Sequence, residues 1–155
     1  MELSLCTPNP IISSMESKAT PTLVIEPHPL MRTSLFSIIG ADPDFELIQP
    51  GTAREDAITL KLPNQEDILF LCKQPAIVIM AIGNPGWDDI HAISEIQECI
   101  PNTAVLALIS NEVPGQEVEA LACGARAVLP KTASRSELMQ ALHWLRREDE
   151  QYIRS

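Results

Sequence analysis

Apolar residues in this chain come in two rhythms. Short runs with almost no polar interruption alternate with longer stretches of helical period. The runs are Thr22-Leu23-Val24-Ile25, Phe45-Glu46-Leu47-Ile48, Ile77-Val78-Ile79-Met80-Ala81-Ile82, Ala104-Val105-Leu106-Ala107-Leu108-Ile109 and Ala127-Val128-Leu129. Their length and content of β-branched residues predict five strands. Three of them are apolar at nearly every position instead of every second one. That requires burial on both faces, and so a parallel sheet covered by helices on two sides.

The intervening stretches each carry one apolar stripe. Met31, Leu35, Ile38 and Ile39 share a side of a helix over residues 30–39, and Ile90, Ile93, Ile96 and Ile100 recur at spacings of three and four over 88–100. Ser134 with Glu137 three residues later forms a capping box that opens a last helix, whose stripe is Leu138, Ala141, Leu142 and Leu145. Residues 50–74 are longer than one crossover helix needs. Thr52 with Glu55 and Asn64 with Asp67 are two further candidate boxes, and Pro63 would break a continuous helix between them. The spacing predicts two helical pieces there, or a long loop followed by a helix over 66–73. Five strands and five helical regions joined by right-handed crossovers give an α/β, flavodoxin-like, doubly wound five-stranded parallel sheet. Its expected order is 2-1-3-4-5, with helices on both faces.

Composition narrows the function classes. Residues 1–21 mix Ser, Thr, Pro and Asn with little to bury and are expected to form a flexible arm, leaving one domain over 22–147 and a short tail over 148–155. A chain of 155 residues at 45% hydrophobic content suffices for a single core. The net charge of −10 repels phosphate backbones, and the basic pair Arg146-Arg147 runs straight into Glu148, Asp149 and Glu150, so direct nucleic-acid binding is not expected. Cys6, Cys72, Cys99 and Cys123 form no CxxC pair, and three of them lie in apolar helical stretches. They read as reduced, mostly buried thiols. With neither a secretory signal nor an apolar stretch of membrane-spanning length in the sequence, the expected location is the cytoplasm.

Several spaced motifs then fall in a familiar order. Ile25-Glu26-Pro27-His28-Pro29-Leu30-Met31-Arg32 is followed by Ala41-Asp42-Pro43-Asp44-Phe45-Glu46, then Asn84-Pro85-Gly86-Trp87-Asp88 and Pro101-Asn102-Thr103. Ala122-Cys123-Gly124-Ala125-Arg126-Ala127 and Leu129-Pro130-Lys131-Thr132-Ala133-Ser134 complete the set. From about residue 22 to 147 the chain resembles the receiver domains of two-component response regulators, particularly those that carry a LuxR-type helix-turn-helix output.

The resemblance also implies a set of functional residues, and most are missing. Receivers hold magnesium with an acidic pair after the first strand; here the positions are Glu26 and Pro27. The phosphate-accepting aspartate is expected at the place of Ala81, whose methyl group can neither attack a phosphoryl donor nor ligate a metal. The hydroxyl residue after the fourth strand aligns with Ile109, with Ser110 next door, and the aromatic switch aligns with Val128. Only Lys131 is kept, retained by packing or by pairing with Glu26. The implied pocket is degenerate, with no catalytic residue, no metal and no cofactor.

The remaining candidates are few. His28, His91 and His143 lack the spacing of a local metal pair, and the glycines form neither a dinucleotide fingerprint nor a P-loop. Trp144 lies about 120° from Leu138 on a helical wheel, so it is expected to be flanking or exposed. With Met139 on the other flank and His143 beside it, it marks a candidate interface, against the alternative of half-burial on a neighbouring helix. Trp87 either covers the former acidic pocket or simply anchors its loop. The expectation is a phosphorylation-independent pseudo-receiver, not an enzyme. It would act by protein contact in bacterial signal transduction or transcription regulation, as a homodimer or on another regulator. A helix-turn-helix is not expected after the last helix, so any effect on DNA would pass through a partner. The alternative is a small-molecule sensor using the remodelled pocket.

Overall fold

The computed structural model describes residues 19–49, 58–61, 68–71, 74–82, 90–110 and 114–154. In chain order their elements are β1 (Thr20–Ile25), α1 (Pro29–Gly40), β2 (Phe45–Ile48), β3 (Ile58–Lys61), β4 (Ile68–Leu71), β5 (Ile77–Ala81), α2 (Ala92–Cys99), β6 (Ala104–Ile109), α3 (Gln116–Ala122), β7 (Ala127–Pro130) and α4 (Arg135–Arg154). Five strands form a parallel sheet in the order β2-β1-β5-β6-β7. Counted within that sheet, this is the 2-1-3-4-5 order expected from the alternation of runs and stripes.

Every residue of β5 and β6 is buried, and the two-residue period of a strand divides them between two cores. Val78, Met80, Val105, Ala107 and Ile109 pack with Ile93 and Ile96 of α2 and Ala120 of α3. Ile77, Ile79, Leu106 and Leu108 pack on the other side with Leu35 and Ile39 of α1 and Leu138, Leu142 and Leu145 of α4. The unbroken apolar runs are the sequence's answer to this double demand.

The capping box at the start of α4 is formed as expected. Ser134 N donates to Glu137 Oε1 at 2.9 Å, and Glu137 N donates to Ser134 Oγ at 3.1 Å. The long second crossover is not as expected. No helix spans 66–73; instead β3 and β4 pair antiparallel as a second, two-stranded sheet, with Ile58 opposite Leu71 and Leu60 opposite Leu69. A short helix here would carry a costly nucleus for few hydrogen bonds, whereas the alternating Ile58-Thr59-Leu60-Lys61 and the apolar Ile68-Leu69-Phe70-Leu71 satisfy their backbones by pairing with each other. Fully buried Leu71 joins the α2-side core, so the pair is docked on the domain. The candidate boxes Thr52/Glu55 and Asn64/Asp67, with Pro63, lie outside the described residues.

The first strand and the last helix are longer than the sequence pattern suggests. Thr20 and Pro21 belong to β1, opposite Phe45 and Glu46, and the stretch 148–154, expected as a tail, continues α4 as helix. Good helix formers such as Arg, Glu and Gln in that stretch let the helix propagate beyond the core it packs on. The expectation of buried thiols fails for Cys99, which is exposed, and Cys123 is half-buried; both are free. Cys6 and Cys72 lie outside the described residues. No helix among the described residues is long and apolar enough to cross a membrane.

Candidate functional site

Strand register gathers most of the sequence-predicted pocket at one edge. Ile25 pairs with Met80, and Ala81 pairs with Leu108. Glu26, one step beyond Ile25, therefore stands at the level of Ala81 on the carboxyl edge of the sheet. Ile82 N donates to Leu108 O, and Lys131 N donates to Ile109 O, both at 2.8 Å. These bonds extend the ladder and bring Lys131 beside Ile109 and Ser110. The carboxyl edge of an open α/β sheet is where such folds place ligands.

Glu26 is only 4% exposed. Its Oε2 accepts the His28 amide at 2.9 Å, and its carbonyl accepts Arg32 Nη1 at 3.2 Å. Its Oε1 is buried and has no hydrogen-bond partner. Pro27 is exposed. Ala81, 1% exposed, closes the end of β5 with a methyl group. Ile109 is turned into the α2-side core, while Ser110, half-buried at the edge, donates its backbone N–H to Gln116 Oε1 at 3.2 Å. Val128 is half-buried against the α2-side core, opposite Ala107 in register. It fills the switch position by aliphatic packing.

Lys131 is half-buried, and the pairing with Glu26 offered by the sequence is not made, since Glu26 Oε1 has no partner. Both residues instead line one cleft of about 500 Å³, together with His28, Leu30, Met31 and Ser34. Trp87 and the loop around it lie outside the described residues. Sequence reasoning did not single out Arg32 or Gln116. Arg32 sat within the first motif, whereas Gln116 carried no local signal because its partner is set by the packing of α3 on β6.

On α4 the three candidate interface residues separate. Trp144 is 44% exposed, and Met139 is half-buried against the α1-side core. His143 is held by the α1–β2 turn, in an edge-on contact with the Phe45 ring. Asp42, Asp44 and His143 are the one grouping of potential ligand atoms among the described residues. The two carboxylates face different ring nitrogens of the histidine, so the group works as a hydrogen-bonded clip.

No family model matches the chain. It is 24% identical over 124 residues to the response regulator protein VraR of Staphylococcus epidermidis, covering 80% of this chain and 55% of that protein. It is 25% identical over 122 residues to the nitrate/nitrite response regulator NarL of Escherichia coli, covering 78% of this chain and 52% of that protein. The signal receiver domain of a putative response regulator NarL from Mycobacterium tuberculosis superposes with a TM-score of 0.60 at 21% identity, over 81% of this chain and 94% of that one. The fold is that of response-regulator receiver domains, and the sequence is similar to those regulators over about four-fifths of its length. It spans about half the length of these two curated relatives.

A receiver implies a magnesium ion, and the described residues do not fit one. A hard divalent cation needs several oxygen ligands. Among the described residues this edge supplies one carboxylate, Glu26, flanked by Pro27 and Ala81, while Lys131 lines the same cleft. No catalytic step can be written through such an ion here.

Proposed function

We propose that this receiver has lost phosphoryl transfer and works, not as an enzyme, but as a protein-contact module in cytoplasmic signal transduction or transcription control. The observation that carries this reading is Ala81, a buried methyl group at the tip of the central strand, level with Glu26. Without a carboxylate there, nothing can accept a phosphoryl group by the receiver route. The partner is a second copy of the chain or another regulator. The outer side of α4 supports that role: exposed Trp144 stands with Met139, His143 and Arg147 along a groove of about 500 Å³. Partly exposed aromatic and methionine side chains are the residues that interfaces favour. The strongly acidic composition supports a protein partner over nucleic acid.

Incubation with acetyl phosphate and magnesium, followed by phosphate-affinity electrophoresis and intact mass, is expected to show no phosphorylated species. Stoichiometric labelling would overturn the reading. In parallel, light scattering coupled to size exclusion and pull-down from the native host are expected to give an assembly that Trp144→Ala abolishes.

A second reading, a small-molecule sensor built on the same edge, is favoured by one observation, the unpartnered Oε1 of Glu26 beside a cleft.

A further inference from the structure

A buried carboxylate oxygen without a partner is expensive, because it has given up water and received nothing in exchange. Glu26 Oε1 is in that state, although its sister oxygen is satisfied by the His28 amide. The residue is more than nine-tenths buried and lines the cleft of about 500 Å³ between α1 and the turn after β7. Lys131 lines the same cleft, and its ammonium group makes no ion pair with Glu26. The cleft thus holds an unpartnered acidic side chain and a basic one that are not joined to each other.

That combination selects among ligand classes. Among the described residues a bare divalent cation would meet one carboxylate and the repulsion of Lys131. A bare phosphate or carboxylate would meet Lys131 but also the unscreened oxygen of Glu26. A molecule bearing both charges satisfies both ends, with each end-group making a charge-assisted hydrogen bond. The wall between the ends is Leu30 and Met31, with the Ser34 hydroxyl among them. Beyond Met31, Ser34 and Lys131 the groove continues into a smaller cavity of about 140 Å³ that reaches Ile38 and Arg135. An aliphatic stem therefore has an apolar surface to lie on.

We propose that the cleft binds a small zwitterion, its ammonium group on Glu26 Oε1, its acid on Lys131 and its aliphatic stem on Met31 and Leu30. The inference rests on the sensor reading and is independent of docking through α4. It adds the ligand class.

The purified chain is titrated by calorimetry with glycine, 4-aminobutyrate and 6-aminohexanoate, and with hexanoate and hexylamine as single-charge analogues. At least one zwitterion is expected to bind with Kd of about 1 mM or tighter, and about tenfold or more tighter than either analogue. Glu26→Gln and Lys131→Met should each weaken it by about tenfold or more. Because Lys131→Met changes a side chain at the surface of the cleft, it keeps the test decisive should Glu26→Gln fail to fold. Equal binding of hexanoate or hexylamine, or affinity unchanged in the variants, overturns the zwitterion class while leaving a pocket that binds ligands. No binding by any of the five compounds at millimolar concentration overturns both the class and the sensor reading.

Discussion

His143 Nε2 and Asp42 Oδ2 lie 2.9 Å apart across 101 residues of sequence, and their hydrogen bond ties the last helix to the turn between α1 and β2. The tie is reinforced on both sides. Asp44 N donates to Asp42 Oδ1 at 2.9 Å, Phe45 meets the imidazole edge-on with centroids 5.0 Å apart, and Arg146 Nε donates to Thr20 Oγ1 at 3.0 Å. Three of these contacts join α4 to β1, β2 and the turn before β2, and the Asp44–Asp42 bond holds that turn in shape.

The clip makes stability depend on pH in a stated direction. The hydrogen bond from the Asp44 amide, followed by His143 and the nearby Arg146 guanidinium, holds the Asp42 carboxyl below the usual carboxylate range against the opposing effect of burial. A carboxyl whose pKa is lower folded than unfolded stabilises the fold fully above its ordinary pKa, and the contribution disappears as pH falls through the lowered value. Asp42→Asn is therefore expected to cost up to about 1 kcal/mol at pH 7, modest because the pair is partly exposed. The gap between urea midpoints of the two proteins should close below the ordinary carboxylate range. A gap that stays constant from pH 7 to pH 2 would count against the clip.

Leu71 tests whether the β3–β4 pair is part of the domain core. It is fully buried among residues of the α2 face, so Leu71→Ala should lower unfolding stability by about 2–5 kcal/mol. A loss below about 0.5 kcal/mol in urea unfolding would show the pair to be a loosely held excursion.

Ser134 and Glu137 satisfy each other's backbone amides at the start of α4. Ser134→Ala should cost about 1 kcal/mol, with Ser134→Asp recovering most of it. Amide exchange of the first turn of α4 reports the change directly, and unaltered protection there would be inconsistent with the cap.

Gly124 has φ +116°, and a Cβ placed on it would lie 3.4 Å from Gln97 Cγ. That distance is an ordinary contact, so the cost of a side chain here lies in the backbone conformation and not in a clash. Gly124→Ala should then destabilise the chain by about 1–3 kcal/mol through backbone strain. A melting temperature equal to that of the parent protein would contradict this.

Much of the architecture was legible because it obeys one local rule. Runs such as Ala104 to Ile109 leave no polar face, and only a sheet sandwiched between helices can accept them. The last helix was legible for a similar reason: Ser134 and Glu137 announce its start within four residues, and its stripe names its buried side. The β3–β4 pair was illegible. Two four-residue stretches around Pro63, one alternating (Ile58 to Lys61) and one apolar (Ile68 to Leu71), suit a broken helix or a hairpin equally in local terms, and the arbiter was a place for Leu71 in a core assembled from distant strands.

At the candidate site, sequence by itself determined the chemistry that is present and missing: a methyl at Ala81, a proline at 27, a carboxylate at 26 and an amine at 131. Those are properties of covalent structure and need no fold to be stated. Tertiary structure alone decided which groups share a cleft, which oxygen of Glu26 is left unpaired, and that His143 is engaged by Asp42 while Trp144 stays in solvent. Burial and pairing depend on the relative placement of segments a hundred residues apart, and that placement is set by packing of the whole sheet.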